Sequence, residues 1–198
     1  MFNEKSKIGD AVDATVTRGA GNEEAFGLIG AYKVECFDKE GNLKWSDGFE
    51  NLTTNVGRQD LLNKYFAGSA YTPAIVVGLM GNNGSGTSTP AYTDTQASHT
   101  GWYEVGGVNA PTYSGTRKTP AFASATSANP SVLTTSAVVV FSMTSSGTVT
   151  GAFINNAGSS TIDSTTGILF SAGNFTAGSK TVTSGDTINV TYTLSAAG

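Results

Sequence analysis

One stretch of the chain constrains its fold more than any other, because two kinds of side chain alternate strictly along it. In the segment DTINVTYTLSAAG (186–198), every second position is apolar: Ile188, Val190, Tyr192 and Leu194. The positions between carry hydroxyl or amide groups: Thr187, Asn189, Thr191 and Thr193. Because successive side chains of a β-strand point to opposite faces, this pattern predicts a strand whose apolar face closes a core.

The composition extends this prediction to the rest of the chain. The 198 residues include 28 threonines, 21 serines and 25 glycines, and only 13% of the residues are charged. Thr favours strands and Gly favours turns, so this balance is typical of an all-β protein. The length suffices for one core, or for a core plus an arm.

The charged residues are unevenly distributed. Residues 1–64 hold 19 of the 26 charged residues, and the other 134 positions hold seven. A Ser/Thr-rich surface with so little charge is unusual for a free monomer, which normally relies on charge for solubility. We therefore expect this part of the chain to pack against other subunits.

Several classes of protein are disfavoured by simple counts. The net charge is −4, and Arg117-Lys118 is the only basic pair after the N-terminal third, so nucleic acid is not an expected partner. A single cysteine, Cys36, permits no internal disulfide. No segment approaches the roughly 18 apolar residues of a membrane span, and the N-terminus has no signal-peptide core. We expect the protein to have no membrane partner. We also expect it to be made inside a cell and, at first, to stay there.

The N-terminal residues 1–27 mix charges, glycine and small residues without a period. This pattern predicts an extended arm that a partner orders, or a frayed tail with no role. The apolar residues that would dock such an arm are Phe2, Ile8, Val12, Val16 and Phe26. Residues 28–198 are predicted to form the β domain.

The β domain is predicted to open with a hairpin. LIGAYKVECFD and LKWSDGFE flank the turn KEGN (39–42), in which Gly41 can supply a positive φ. Tyr32, Val34 and Cys36 share one face of the first strand. Cys36 is therefore predicted to be a small core residue rather than a nucleophile.

One segment, NLTTNVGRQDLLNKYFAG (51–68), predicts a helix of about three turns. Thr54 or Asn55 can cap its start, and Gly68 can end it. The apolar stripe that we expect to pack on the sheet consists of Val56, Leu61, Leu62, Tyr65 and Phe66.

The pattern in the rest of the chain predicts short strands separated by Gly/Ser turns. After a buried-type strand in PAIVVGLM, the predicted strands are TRKTPAFAS, SVLTTSAVVVFSM, TVTGAFINN, GILFSAGNF, KTVTS and DTINVTYTLS. This spacing favours an all-β fold, a jelly-roll-like or other antiparallel β-sandwich with one short helix and an extended N-terminal arm. A jelly roll and an immunoglobulin-like sandwich both fit the strand count.

The sequence contains no recognisable catalytic constellation. His99, the only histidine, lies in ASHTGW without a nucleophile-elbow context, and we interpret it as a loop histidine bonded to a backbone carbonyl. Asp94 and Glu104 are conceivable as the paired carboxylates of a glycan-active enzyme, but no motif supports them. No calcium loop, zinc spacing or P-loop is present. We expect no enzymatic activity, cofactor or metal.

The long loop between residues 81 and 115 carries several aromatic residues, Tyr92, Trp102, Tyr103 and Tyr113. Such rings can line a sugar-binding groove, or they can fill the core and interfaces. Trp102 and Tyr103 are the loop residues predicted to contact a partner.

Four segments follow one another along residues 28–198: NLTTNVGRQDLLNKYFAG, YTPAIVVGLM, YTDTQASHTGWYEV and GILFSAGNFTAGSKTVTSGDTINVTYTLSAAG. Together and in this order they resemble small structural proteins of tailed bacteriophages. Some jelly-roll proteins of this kind sit on the capsid as decoration or cement proteins. The resemblance implies a β-sandwich and a virion setting, and it transfers no catalytic residue.

The leading hypothesis is a non-enzymatic virion protein that decorates or cements the capsid. It would bridge neighbouring subunits of the major capsid protein as a homodimer or homotrimer, on a capsid assembled in the host cytoplasm. The alternative is a receptor- or glycan-binding module of a tail or head fibre.

Overall fold

The structure, a computed structural model, describes residues 27–82, 88–156 and 158–197. The apolar residues of the predicted arm, from Phe2 to Phe26, lie outside these ranges. Gly27, which was predicted to end the arm, is instead the first residue of a strand.

The described residues form eleven strands and one helix. In chain order they are β1 (Gly27–Phe37), β2 (Leu43–Thr53), α1 (Asn55–Tyr65), β3 (Val76–Gly81), β4 (Tyr103–Val105), β5 (Ser131–Thr134), β6 (Val139–Ser142), β7 (Gly147–Val149), β8 (Gly151–Asn156), β9 (Ile168–Asn174), β10 (Lys180–Val182) and β11 (Thr187–Ala197). The predicted hairpin is confirmed, and Gly41 in its turn has a φ of +88°.

Nine of these strands form one continuous sheet, in which all neighbours are antiparallel. Its order is β4-β3-β8-β9-β2-β1-β11-β5, and β6 also pairs with β11. Strand β2 joins two halves of this sheet, because residues 43–51 pair with β1 whereas Leu52 and Thr53 pair with β9. β7 and β10 form a separate two-stranded sheet.

The inward faces of the two halves share one core. Val34, Phe141 and Ile188 come from the half containing β1, and Val77 and Ile154 come from the half containing β3. This arrangement confirms the predicted antiparallel β-sandwich. The apolar face of the closing strand is buried as predicted, because Ile188, Val190 and Tyr192 are inaccessible to solvent and Leu194 packs against the same core.

The half-sheet containing β3 and β8 is also covered on its outer face. Every residue of both strands is buried. Met80, Phe153 and Leu169 form a second apolar cluster there with Trp102, from the loop before β4. This loop and α1, which contacts β9, lie over the outer face of the sandwich.

Helix α1 is present, but its packing differs from the prediction. Thr54 is the N-cap as expected, and its hydroxyl accepts a hydrogen bond from the Gly57 amide at 3.0 Å. Gly57 is the only buried residue of the helix, whereas Leu62, Tyr65 and Phe66 are exposed. Val56 and Leu61 of the predicted stripe are half-buried, but the prediction is wrong for Leu62, Tyr65 and Phe66, because the helix approaches β9 through its glycine.

We expect Gly57→Ala to destabilise the protein by about 1–3 kcal/mol, the usual cost of overpacking. A Cβ atom at this position would lie 2.8 Å from the Phe170 Cα atom and closer still to its carbonyl oxygen. Urea unfolding measures the change. Gly48→Ala is the control, since its Cβ atom would meet only the Tyr32 carbonyl oxygen, at 3.8 Å. Equal stabilities of the two variants would contradict the close approach of α1.

The predicted strand in TRKTPAFAS (116–124) is wrong. Lys118 makes a single antiparallel bridge with Val77, and Phe122 makes another with Thr135. Pro120 lies between the two bridges and has no N–H group to continue a ladder. The segment therefore crosses the sandwich as an irregular connection.

Candidate interaction surface and polar cleft

The last turn of α1 and the segment after it expose a cluster of large apolar side chains. The exposed fractions are 54% for Leu62, 82% for Tyr65 and 75% for Phe66, and Tyr71 is also exposed. Residues 62, 65 and 66 share one helix face because they are three and four positions apart. These four residues are called the α1 surface below.

Several contacts hold the α1 surface in place. The rings of Tyr65 and Phe66 meet edge to face, with centroids 4.9 Å apart. The Lys64 ammonium group donates a hydrogen bond to the Ala70 carbonyl at 3.0 Å and lies 5.7 Å from the centre of the Tyr71 ring. The chain after the helix therefore turns back alongside it, which places Tyr71 beside the helix.

The α1 surface has the character of an unpartnered interface. Contiguous exposed apolar groups on a soluble protein commonly mark interaction sites, and aromatic rings contribute most where they become buried. Two charged groups flank it: Lys64 lies 5.7 Å from the centre of the Tyr71 ring, and the negative charge of Asp60 contributes, after burial, to the raised pKa of Tyr71. The surface can therefore be covered with few charges to desolvate.

The structure separates the two loop residues that were predicted to contact a partner. Trp102 is buried, and its indole N–H donates to Asp94 at 2.9 Å. Tyr103 is half-buried in β4 and lines an open cleft. Of the other loop aromatics, Tyr113 is buried in the core and Tyr92 is exposed. The described part of the loop therefore presents no continuous platform of aromatic rings.

This cleft, called the polar cleft below, has a volume of about 250 Å³. It is lined by Gln96, Ala97, His99, Tyr103, Glu104, Asn109, Asp163, Ser164 and Thr165. Eight of these nine residues carry a side chain that can form a hydrogen bond, and Tyr103 and His99 also contribute ring surface. Three chain segments meet here, namely the loop before β4, β4 with the turn after it, and the loop between β8 and β9.

A buried ion pair fixes one wall of the polar cleft. The guanidinium group of Arg117 donates to both carboxylate oxygens of Glu104, at 2.8 and 2.7 Å. It also donates to the carbonyl oxygens of Ser159 and Ser164, at 3.0 and 2.7 Å. The Asp163 amide donates to the same carboxylate at 2.9 Å. The pair thereby ties the loop between β8 and β9 to β4.

The carboxylates considered for glycan hydrolysis are engaged in structural bonds. Both oxygens of Glu104 accept from Arg117, and Asp94 accepts from the Trp102 indole and from the Ala91 amide. A general acid needs an oxygen that can carry and release a proton to substrate. The geometry gives this interpretation no support.

His99 occupies the position that the sequence predicted. Its Nδ1 atom lies 3.1 Å from the Trp102 carbonyl oxygen, and its ring stacks on the Trp102 ring with centroids 3.8 Å apart. Because a carbonyl oxygen can only accept, Nδ1 carries the proton and donates it. The interpretation as a loop histidine bonded to a backbone carbonyl is confirmed.

Cys36 is a core residue, as predicted, and its thiol is fully buried. Burial, followed by the negative charge of Asp186, raises the pKa of Cys36 to about 12. The reactive species of cysteine is the thiolate, so at neutral pH the folded protein holds this group in its unreactive form. Its Sγ atom lies 3.9 Å from Asp186.

The Asp186 carboxylate, directly before β11, is held by several hydrogen bonds. It accepts hydrogen bonds from the Lys44 ammonium group and from the amide and hydroxyl of Thr183. Burial acts to raise the pKa of Asp186, but the bonds from Lys44 and Thr183 outweigh it, so this pKa lies below its ordinary value.

A lowered pKa in the folded state makes stability depend on pH. The contribution of Asp186 is complete above the unfolded pKa of about 3.9 and is lost as the pH falls through the folded pKa. We expect the unfolding free energy of Asp186→Asn to fall less steeply below about pH 4 than that of the unsubstituted protein. Urea unfolding across this range measures it, with the exposed Glu40→Gln as control. Parallel curves for Asp186→Asn and the unsubstituted protein would contradict the assignment.

The described ranges contain no group of three or more His, Cys, Asp or Glu residues placed to hold a metal ion. None of the helices in this part of the chain has the length and apolar character needed to cross a bilayer.

Two places on the described surface therefore stand out by their geometry, the α1 surface and the polar cleft. The first is apolar and projects into solvent, whereas the second is polar and recessed. The function of each must be inferred from the side chains that form it. The chain matches no known protein family, no curated protein and no solved structure.

Proposed function

We propose that the chain is a non-enzymatic structural protein of a tailed-phage virion that decorates the capsid and docks on the major capsid protein through the α1 surface. The observation that carries this proposal is the cluster of exposed aromatic residues, Tyr65, Phe66 and Tyr71, on a sandwich with few charges. The resemblance of several sequence segments, in their order, to phage structural proteins supports the virion setting.

The rest of the molecule suits this role. A protein that bridges capsid subunits needs a rigid body and contact surfaces whose desolvation costs little free energy. After residue 64 the chain carries only seven charged residues. Among these, Glu104 pairs with Arg117, and Asp186 pairs with Lys44 from the first hairpin. Charges that are already paired inside the domain add no desolvation cost at an interface.

In this proposal the N-terminal residues 1–26 provide a second contact on a neighbouring subunit. Several weak contacts on one chain strengthen each other, because the second binding event is intramolecular. A homodimer or homotrimer at a capsid symmetry axis would multiply the effect. Gly27 belongs to β1, so removal of residues 1–26 keeps every strand that the structure describes.

Co-sedimentation with capsids stripped of accessory proteins tests the proposal. The full chain is expected to saturate capsids at a ratio set by their symmetry. The chain lacking residues 1–26 is expected to bind more weakly, and bovine serum albumin serves as the non-binding control. If neither form of the chain sediments with capsids, the proposed decoration role is contradicted.

The alternative role, a receptor- or glycan-binding module of a tail or head fibre, draws support from a different place. The polar cleft contains Tyr103, one of the two loop aromatics predicted to contact a partner. Trp102→Ala is an unsuitable probe of sugar binding, because Trp102 is packed inside the protein.

A further inference from the structure

We propose that the polar cleft binds one neutral pyranose unit of a glycan, with Tyr103, His99, Asn109 and Asp163 as its contacting side chains. This activity is separate from capsid docking, because none of these residues belongs to the α1 surface. Neither activity requires the other, so the tests of the two proposals can fail independently.

The size and lining of the polar cleft select this class of ligand. Its volume of about 250 Å³ lies below the roughly 300–1,000 Å³ of sites for drug-sized ligands, so a single ring suits it. Its walls combine ring and aliphatic surface with eight side chains that can form hydrogen bonds, a mixture that suits a sugar ring. The positive charge of Arg117 is already paired with Glu104. The negative charge of the Asp163 carboxylate therefore disfavours the binding of phosphates and other anions in the cleft.

The groups that would contact the sugar are held in place before it binds. Stacking on Trp102 and the Nδ1 hydrogen bond fix the His99 ring, so in the neutral imidazole Nε2 is the acceptor. One oxygen of Asp163 accepts from the Val108 amide at 2.8 Å. Asn109 donates to the Glu104 carbonyl oxygen at 3.0 Å. Preorganisation of this kind reduces the entropy lost on binding.

The remaining hydrogen-bonding capacity matches a polyol. Within the ranges that the structure describes, no protein hydrogen bond involves the Tyr103 hydroxyl, Nε2 of His99 or Oδ1 of Asp163. Each sugar hydroxyl both donates and accepts, so it can bond to acceptors such as these and to the Tyr103 hydroxyl in either direction. The half-buried Tyr103 ring adds an apolar area for the C–H face of a pyranose.

Titration of the ¹⁵N-labelled full chain with methyl glycosides tests the proposal. The probes are the methyl glycosides of glucose, galactose, mannose and N-acetylglucosamine, with methyl glucuronide as the anionic comparison. At least one neutral probe is expected to bind with a Kd on the order of 1 mM and to shift the amide signals of residues 96–99 and 163–165. Methyl glucuronide is expected to bind more weakly, because the Asp163 carboxylate repels its charge.

Two conservative variants sharpen this test. Asp163→Asn keeps one oxygen for the Val108 amide but loses the second acceptor, and Tyr103→Phe loses only a hydroxyl. Each is expected to weaken binding of the neutral probe about tenfold, which corresponds to one lost hydrogen bond of about 1.4 kcal/mol. Tyr92→Phe is the matched control, since this exposed ring is outside the cleft, and it should bind as the unsubstituted protein does.

Three results would overturn the proposal. The first is the absence of signal shifts with every neutral probe at millimolar concentration. The second is a set of shifts that maps to residues outside the polar cleft. The third is unchanged affinity in both Asp163→Asn and Tyr103→Phe, provided that their spectra retain the dispersion of a folded protein.

Discussion

Arg117→Met is expected to lower the free energy of unfolding by about 3–5 kcal/mol, the usual cost of removing one partner from a buried ion pair. Arg117 is almost fully buried, and its loss would leave the Glu104 carboxylate buried without a counter-charge. The carbonyl oxygens of Ser159 and Ser164 would also lose their donor. The loop between β8 and β9 would then be released from β4.

Urea unfolding followed by circular dichroism measures this loss. Lys33→Met is the control, because it removes an exposed cation from a surface pair with Glu35, which is worth about 1 kcal/mol at most. The double variant Glu104→Gln/Arg117→Met leaves no unpaired charge, so it should be less destabilised than Arg117→Met alone. If Arg117→Met loses no more stability than Lys33→Met, the ion pair does not hold the loop.

Tyr65→Ser/Phe66→Ser is expected to weaken capsid binding by at least about 100-fold, since each aromatic residue at the centre of an interface typically contributes 2 kcal/mol or more. Both side chains are mostly exposed in the isolated chain. Their replacement should therefore change the free energy of unfolding by no more than about 0.5 kcal/mol.

Quantitative co-sedimentation measures the binding, and urea unfolding measures the stability of the same preparations. Val108→Ser is the matched control, since Val108 is 86% exposed and lies beside the polar cleft rather than on α1. This variant should bind capsids normally. Normal binding by Tyr65→Ser/Phe66→Ser would place the capsid contact elsewhere on the chain.

The strands at the two ends of the described domain could be predicted from the sequence because their side chains alternate. A period of two leaves little choice of face: Tyr32, Val34 and Cys36 in β1 and Ile188 and Val190 in β11 all point into the core. The register then places Val34 opposite Val190. Tertiary contacts agree with the local pattern here.

The orientation of α1 could not be predicted in the same way. Apolar residues at helical spacing show that one face is apolar, but the pattern does not show what covers that face. In the structure the decisive residue is Gly57, whose lack of a side chain lets the helix lie close to the Phe170 backbone. The face that the pattern assigned to the core is thereby turned to solvent, and it became the candidate interface.

The polar cleft was beyond prediction for a related reason. Its residues come from three segments that only the folded chain brings together, and Arg117 joins two of them by bonding to Glu104 and to the carbonyl oxygens of Ser159 and Ser164. The sequence did contain a signal: among the seven charged residues after position 64, Glu104 is the only glutamate and Arg117 is the only arginine, which makes them candidates for each other. Trp102 and Tyr103 are adjacent in sequence, yet one fills the interior and the other lines the cleft.

Cryo-electron microscopy of capsids saturated with the full chain is the most direct test of the central claim, that the protein decorates a capsid through the α1 surface. The account predicts a β-sandwich at each occupied position, with Tyr65 and Phe66 buried against the major capsid protein. A sandwich bound with its α1 surface in solvent would contradict the proposed interface, and capsids without added density would contradict the decoration role itself.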